Sequence, residues 1–187
     1  MDQIVPLYQR LMAAGDGDAF DRHVFACILV RGAAEAPTPL TEAIGLDRAE
    51  VHRLLDRHFP AASWLAKELP AGATTGEDAI EEPDLRRLLC DNATHPGCDE
   101  AGWLAAMVAR RSLKPNHLWQ DLGLATRADL SGLLNRHFAP LAAKNLRDMK
   151  WKKFFYRQMC EAEGMSICKS PVCDICPDFT LCYGPEI

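Results

Sequence analysis

The sequence predicts an all-α fold: a helical domain built from two related helical halves, followed by a cysteine-rich C-terminal loop segment. Three observations lead there. Apolar residues recur at three- and four-residue spacing along most of the chain. No stretch alternates in strand fashion between hairpin turns. Five of the eight cysteines fall in the final stretch that starts at Cys160. With 187 residues and 48% hydrophobic content, the chain can bury a core before that stretch is counted.

Taken in order, Ile4, Leu7, Tyr8, Leu11 and Met12 share one helical face. Gly15-Asp-Gly17 ends that helix, and Asp18 caps a second one carrying Phe20, Val24, Cys27 and Ile28 inward. After a loop, Thr38-Pro39 reads as N-cap and first helical position of a short helix closed by Gly45. Asp47-Arg-Ala-Glu50 has the form of a capping box opening a helix with Val51, Leu54 and Leu55 on one face. His58-Phe59-Pro60 stops it.

The second half repeats this pattern. Leu40-Thr-Glu-Ala-Ile-Gly45-Leu46 answers to Leu118-Trp-Gln-Asp-Leu-Gly123-Leu124. The twelve residues from Arg48 to Phe59 answer to the twelve from Arg127 to Phe138, with seven identities. The expected organisation is a first helical half over 1–69, a linker over 70–82 and a second half over 83–159 with a basic, aromatic helix. A cysteine-rich, cluster-binding tail over 160–187 follows. Pro83 opens a helix with Leu85, Leu88 and Leu89, and His95-Pro96-Gly97 closes it. Cys27 and Cys90 fit buried, free thiols. The last long helix is expected to run from near Pro140 to about Glu161, with Gly164 as its stop.

Charge is uneven. The chain carries −5 overall, yet Lys144, Arg147, Lys150, Lys152, Lys153 and Arg157 face only Asp148 between Pro140 and Cys160. The acidic balance argues against general nucleic-acid binding. On the expected helix Lys150, Lys153 and Arg157 form one positive face, suited to docking an anion or an acidic partner. No apolar run reaches membrane-spanning length and no signal peptide is apparent. A cytoplasmic, thiol-reducing setting is therefore expected.

From Cys168 the tail spaces its sulfurs C-x4-C-x2-C-x5-C, through Cys173, Cys176 and Cys182. Thiolates on such short loops can converge on one inorganic centre, and prolines 171, 177 and 185 keep the segment a wrapped loop. Zinc sites usually pair two C-x2-C arms across a longer loop, whereas C-x4-C-x2-C supplies three ligands in an iron–sulfur pattern. A cluster is the favoured reading, with zinc as its rival. Cys160 is a possible further sulfur or a buried thiol at a helix end. His58 and His137 hold equivalent repeat positions, which favours a structural role; His137 as an additional metal ligand is the alternative. No nucleophile motif, phosphate loop or carboxylate pair is present, so a carrier is expected rather than an enzyme.

The run Asp148-Met-Lys-Trp-Lys-Lys-Phe-Phe-Tyr156, then Cys160, then the four-cysteine motif ending Cys182-Tyr-Gly-Pro-Glu186, resembles the NifQ family. Leu118-Trp-Gln-Asp-Leu-Gly-Leu124 and Arg136-His-Phe138 are similar to that family as well. The resemblance implies an iron–sulfur protein that also binds molybdenum in a Mo–Fe–S centre and donates it for nitrogenase iron–molybdenum cofactor synthesis. It implies Cys168, Cys173, Cys176 and Cys182 as ligands. The implied partners are molybdate and the cofactor scaffold and precursor-carrier proteins, with neither nucleic acid nor membrane. An electron-transfer iron–sulfur protein and a zinc-stabilised interaction module are the competing functions.

Overall fold

The structure, a computed structural model, describes residues 4–164 and 176–186. Among the described residues every regular element is helical. The first run is α1 (Ile4–Ala13), α2 (Ala19–Ala33), α3 (Leu40–Ile44), α4 (Arg48–His58), a 3-10 turn (Pro60–Ala62) and α5 (Ser63–Lys67). The second is α6 (Glu82–Asp91), α7 (Asp99–Ser112), α8 (Leu118–Asp121), α9 (Arg127–His137) and α10 (Ala139–Ala142). Then come α11 (Trp151–Ala162) and α12 (Phe179–Tyr183). None is long and apolar enough to cross a membrane.

Two helices organise the body. Residues 24–30 of α2 and 103–112 of α7 are all buried, because both segments are apolar around most of the helix rather than along one stripe. Helix α1 lies on α2 and α6 on α7, while α4 and α9 each reach α7. Phe25, Phe59, Phe138 and Phe155 are fully buried in one continuous core.

Local chemistry sets the helix starts. The Asp18 carboxylate accepts from the Phe20 and Asp21 amides. Reciprocal capping boxes open α4 through Asp47 and Glu50 and α9 through Thr126 and Asp129. At α3, Pro39 rather than Thr38 occupies the flanking position, and no side chain caps it. Cys90 is exposed rather than buried, since Leu85 and Leu89 take the core-facing stripe of α6.

Two glycines hold α3 and α8 close to the central helices. Gly45 (φ +72°) ends α3 in the left-handed region, and a Cβ there would lie 3.1 Å from the Arg110 Cβ and 3.3 Å from the Ala106 carbonyl. Gly123 (φ +76°) is tighter: its Cβ would sit 2.8 Å from the Cys27 carbonyl and 2.9 Å from the Arg31 Cβ.

The expected helix from Pro140 to Glu161 is two helices with a turn between them. Asn145 breaks it: its amide nitrogen donates to the Met149 carbonyl (2.9 Å) and its carbonyl oxygen accepts from the Met149 amide (2.8 Å). A side chain thus supplies the hydrogen bonds that helix continuation would have used. Asp148 takes the left-handed conformation (φ 54°), and Arg127 locks the turn by donating to the Asp148 carboxylate and to the carbonyls of Asp148 and Met149. Gly164 (φ 71°) does lie just beyond α11, as expected.

Buried ion pairs tie the pieces together. Glu82, at the end of the stretch read as a linker, is the first residue of α6 and fully buried against Arg110 Nε at 2.7 Å. Arg110 also donates to the carbonyls of Glu42 and Thr75, so residues 75–82 are held on the surface of α7. Arg111, fully buried, donates to the Asp121 carbonyl, the Ala43 carbonyl and the Glu35 carboxylate.

Candidate metal centre

Helix α11 leads into the cysteine tail, and its residues divide by role. Trp151, Phe154 and Phe155 are buried in mutual ring contact. Lys152 is a structural cation: its ammonium donates to the carbonyls of Lys114 and Asn116 and, at 2.6 Å, to the fully buried Asp121 carboxylate. Residues 118–124 and 148–156 therefore meet through an ion pair whose carboxylate is fully buried. Tyr156 donates to Glu81 at 3.2 Å; burial, then the Glu81 charge, pushes its phenol pKa up.

The positive face expected from Lys150, Lys153 and Arg157 is not one continuous helical stripe. Lys150 precedes α11, its backbone N–H donates to the Cys182 carbonyl (2.8 Å) and its ammonium to the Thr180 carbonyl (3.3 Å). Lys153 is exposed, and Arg157 pairs with Glu161 one turn on.

The end of the tail is fastened to the body. Besides the Lys150–Cys182 bond, Glu186 receives Arg127 Nη1 at 2.5 Å, with His117 Nδ1 at 3.7 Å. Phe179 and Tyr183 stack across α12 with centroids 4.7 Å apart. Gly184 admits no side chain, since a Cβ would collide with the Thr180 carbonyl. These contacts account for the Cys182-Tyr-Gly-Pro-Glu186 run: the glycine turns the chain, and the glutamate anchors it beside Cys182.

Of the expected ligands, Cys168 and Cys173 lie outside the described residues. Cys176 and Cys182 are half-buried and in no disulfide, and Cys182 touches the core. Cys160 is half-buried in the last turn of α11. The Cys182 carbonyl is bonded by the backbone N–H of Lys150, the residue before α11. Among the described residues no three His, Cys, Asp or Glu side chains are grouped to hold a metal.

The remaining thiols have other occupations. Burial, then the Asp129 charge, pushes the Cys27 thiol up to about 11, which keeps it protonated. The Cys98 sulfur accepts from the Ala101 amide at the start of α7. His137 Nε2 lies 2.9 Å from the Asp21 carboxylate, with Arg136 Nε 3.0 Å from the same oxygen. Arg57 Nε pairs with Glu100, His58 Nε2 lies 3.5 Å from the same carboxylate oxygen, and burial lowers the His58 pKa. Sequence reasoning missed the acidic partners of these histidines. The Arg-His pairing in both repeats was the available signal.

The profile of the NifQ family matches residues 24–184. The chain belongs to the NifQ family. It is 41% identical to protein NifQ of Rhodobacter capsulatus over 179 residues, covering 93% of this chain and 96% of that one. A NifQ homolog of Sinorhizobium fredii is 42% identical over 168 residues, covering 88% and 72% respectively. Protein NifQ of Azotobacter vinelandii is 35% identical over 175 residues, covering 88% and 89%. No solved structure gives a significant match. The NifQ match takes in both Arg-His sites and the four-cysteine spacing.

Proposed function

We propose that this chain holds an iron–sulfur cluster on Cys168, Cys173, Cys176 and Cys182 and, through it, receives molybdenum and passes it on for nitrogenase iron–molybdenum cofactor synthesis. The observation that carries the reading is the C-x4-C-x2-C-x5-C run in a NifQ-family chain, next to a helix rich in cations. The donor chemistry fits: soft thiolates suit iron and sulfide, and Cys176 and Cys182 are half-exposed, so neither is sealed into a core. When bound, the cluster supplies sulfide corners to which molybdenum can attach.

The chain's own groups have separate tasks. Arg127, Lys150 and Glu186 fix the last ligand, Cys182, against the body. Lys150, Lys153 and Arg157 lower the cost of bringing an anion beside thiolates that are themselves negative. His137 is left out of the ligand set because Asp21 and Arg136 already orient it. Cys160, which stands outside the C-x4-C-x2-C-x5-C run, is left out as well. The chain acts as a carrier in a reducing compartment, handing its cargo to the cofactor scaffold and precursor-carrier proteins.

The body is proposed to be a duplicated unit, residues 1–69 and 83–159 joined by 70–82, with the tail added after it. Reciprocal contacts support this. Arg57 and His58 face Glu100 of α7, and Arg136 and His137 face Asp21 of α2. Each residue of the second set stands 79 positions from its counterpart in the first. Gly45 rests on Ala106 and Arg110, Gly123 on Cys27 and Arg31, again at that spacing along the central helices. The tail has no counterpart in the first half, which supports assigning the chemistry to it.

Alanine at Cys168, Cys173, Cys176 or Cys182 is expected to strip most of the iron and sulfide from anaerobically purified protein, whereas Cys90→Ser and Cys98→Ser keep it. A Cys173→Ala protein with full iron and molybdenum would contradict the ligand assignment.

A further inference from the structure

Beside the tail lies a cavity of about 270 Å³, between the turn after α10, helix α11 and α12. Three cations line it, Lys144 and Arg147 from the turn after α10 and Arg157 from α11. Glu161 is the acidic group among them, so the lining carries +3 − 1 = +2. Met149 and Phe154, both buried, form its apolar floor, and Tyr183 closes the side next to Cys182. A low-dielectric wall behind converging cations concentrates their field in the cleft. At about 30 Å³ per water, the volume accommodates a small oxyanion with part of its hydration shell.

The cations are held in place. Lys144 donates to the Asn92 side chain, and the Arg147 guanidinium lies 5.4 Å from the Tyr183 ring centroid. Arg157 Nε (2.6 Å) and the Gln158 amide (2.8 Å) both donate to the Glu161 carboxylate. That geometry, two donors closing on one oxyanionic group, is what an external oxyanion requires.

We infer that this cleft binds a tetrahedral oxyanion dianion, with Lys144, Arg147 and Arg157 as its cationic ligands and the Glu161 carboxylate as the group it displaces. Among the three cations expected to dock an anion, only Arg157 lines the cleft. Naming the dianion as molybdate rests on the proposed function; the anion chemistry does not. Tyr183 places the site one residue from Cys182, so an anion captured here arrives next to the tail.

The test is calorimetric titration of the full, metal-free chain with sodium molybdate in a buffer without phosphate or sulfate. One saturable site is expected, with tungstate and sulfate competing. Arg147→Gln combined with Arg157→Gln is expected to weaken binding at least tenfold. Glu161→Gln should tighten it several-fold, a gain that misfolding cannot produce and that decides the matter should the double variant unfold. Anion binding is read on the metal-free chain and iron content on separately, anaerobically purified Cys173→Ala protein, so failure of the cluster assignment and failure of the cleft assignment are read separately. Absence of saturable binding to the parent chain, or an affinity indifferent to Glu161→Gln, overturns the inference.

Discussion

Replacing Arg111 with alanine is expected to destabilise the fold by about 3–5 kcal/mol, the usual cost of breaking a buried ion pair from one side. The side chain is fully buried and joins three segments: Nε to the Asp121 carbonyl at 2.7 Å, Nη1 to the Ala43 carbonyl at 3.2 Å and Nη2 to Glu35 at 2.7 Å. The carbonyls lie at the ends of α3 and α8, so alanine leaves acceptors unpaired where no water reaches them easily. Against a total stability of about 5–15 kcal/mol, that loss leaves the protein marginal. Urea denaturation of the two proteins measures it. There is also a pH signature. Burial works to raise the Glu35 carboxyl, but hydrogen bonds from Arg111 and Lys114 overcome it and hold the pKa at about 2, below the ordinary 4.5. A depressed carboxyl contributes stability that is present above its unfolded pKa and is lost as pH falls towards its folded value. The parent should therefore weaken between about pH 4.5 and 2, and the Arg111→Ala protein should lose less of its remaining stability there. An unchanged urea midpoint would remove Arg111 from its role as the tie between α3, α8 and the loop carrying Glu35.

Gly123→Ala is expected to cost about 2–5 kcal/mol, combining about 1–2 for a left-handed non-glycine residue with about 1–3 for overpacking. The obstacle is the carbonyl of Cys27 at 2.8 Å, part of the central helix, which moves only if α2 moves. Two comparisons separate the terms. Gly97 has φ +82° with nothing within 4 Å of its Cβ position, so Gly97→Ala carries the conformational cost alone. Gly45→Ala, with its nearest atom at 3.1 Å, should fall between them. Thermal midpoints ordered Gly97→Ala above Gly45→Ala above Gly123→Ala are the predicted result. A Gly123→Ala protein as stable as Gly97→Ala would mean that α8 and α2 are less closely apposed than the structure has them.

Local signals were readable and tertiary ones were not. The Asp18 cap and the Asp47–Glu50 box depend on residues within three positions of one another, and the helices begin where those residues stand. The break between α10 and α11 is made by the Asn145 side chain and locked by Arg127 reaching across to Asp148, neither of which periodicity reveals, so the stretch read as one helix. Arg111, Glu82 and Asp121 look like solvated charges in a sequence; each is buried because its partner comes from a distant segment. In the candidate site, the cysteine spacing was visible in the residue order itself. The fastening of Cys182 by Lys150 and of Glu186 by Arg127 was not, since both bonds join the tail to residues far upstream. Cys168 and Cys173 remain legible through their spacing alone.

Anaerobic purification from cells supplied with iron and molybdate, followed by analysis of iron, acid-labile sulfide, molybdenum and zinc, addresses the ligand claim most directly. Iron and sulfide in near-equal amounts together with molybdenum, all lost in Cys176→Ala, is the predicted result. Zinc in place of iron and sulfide, or iron and sulfide that never acquire molybdenum, would contradict it.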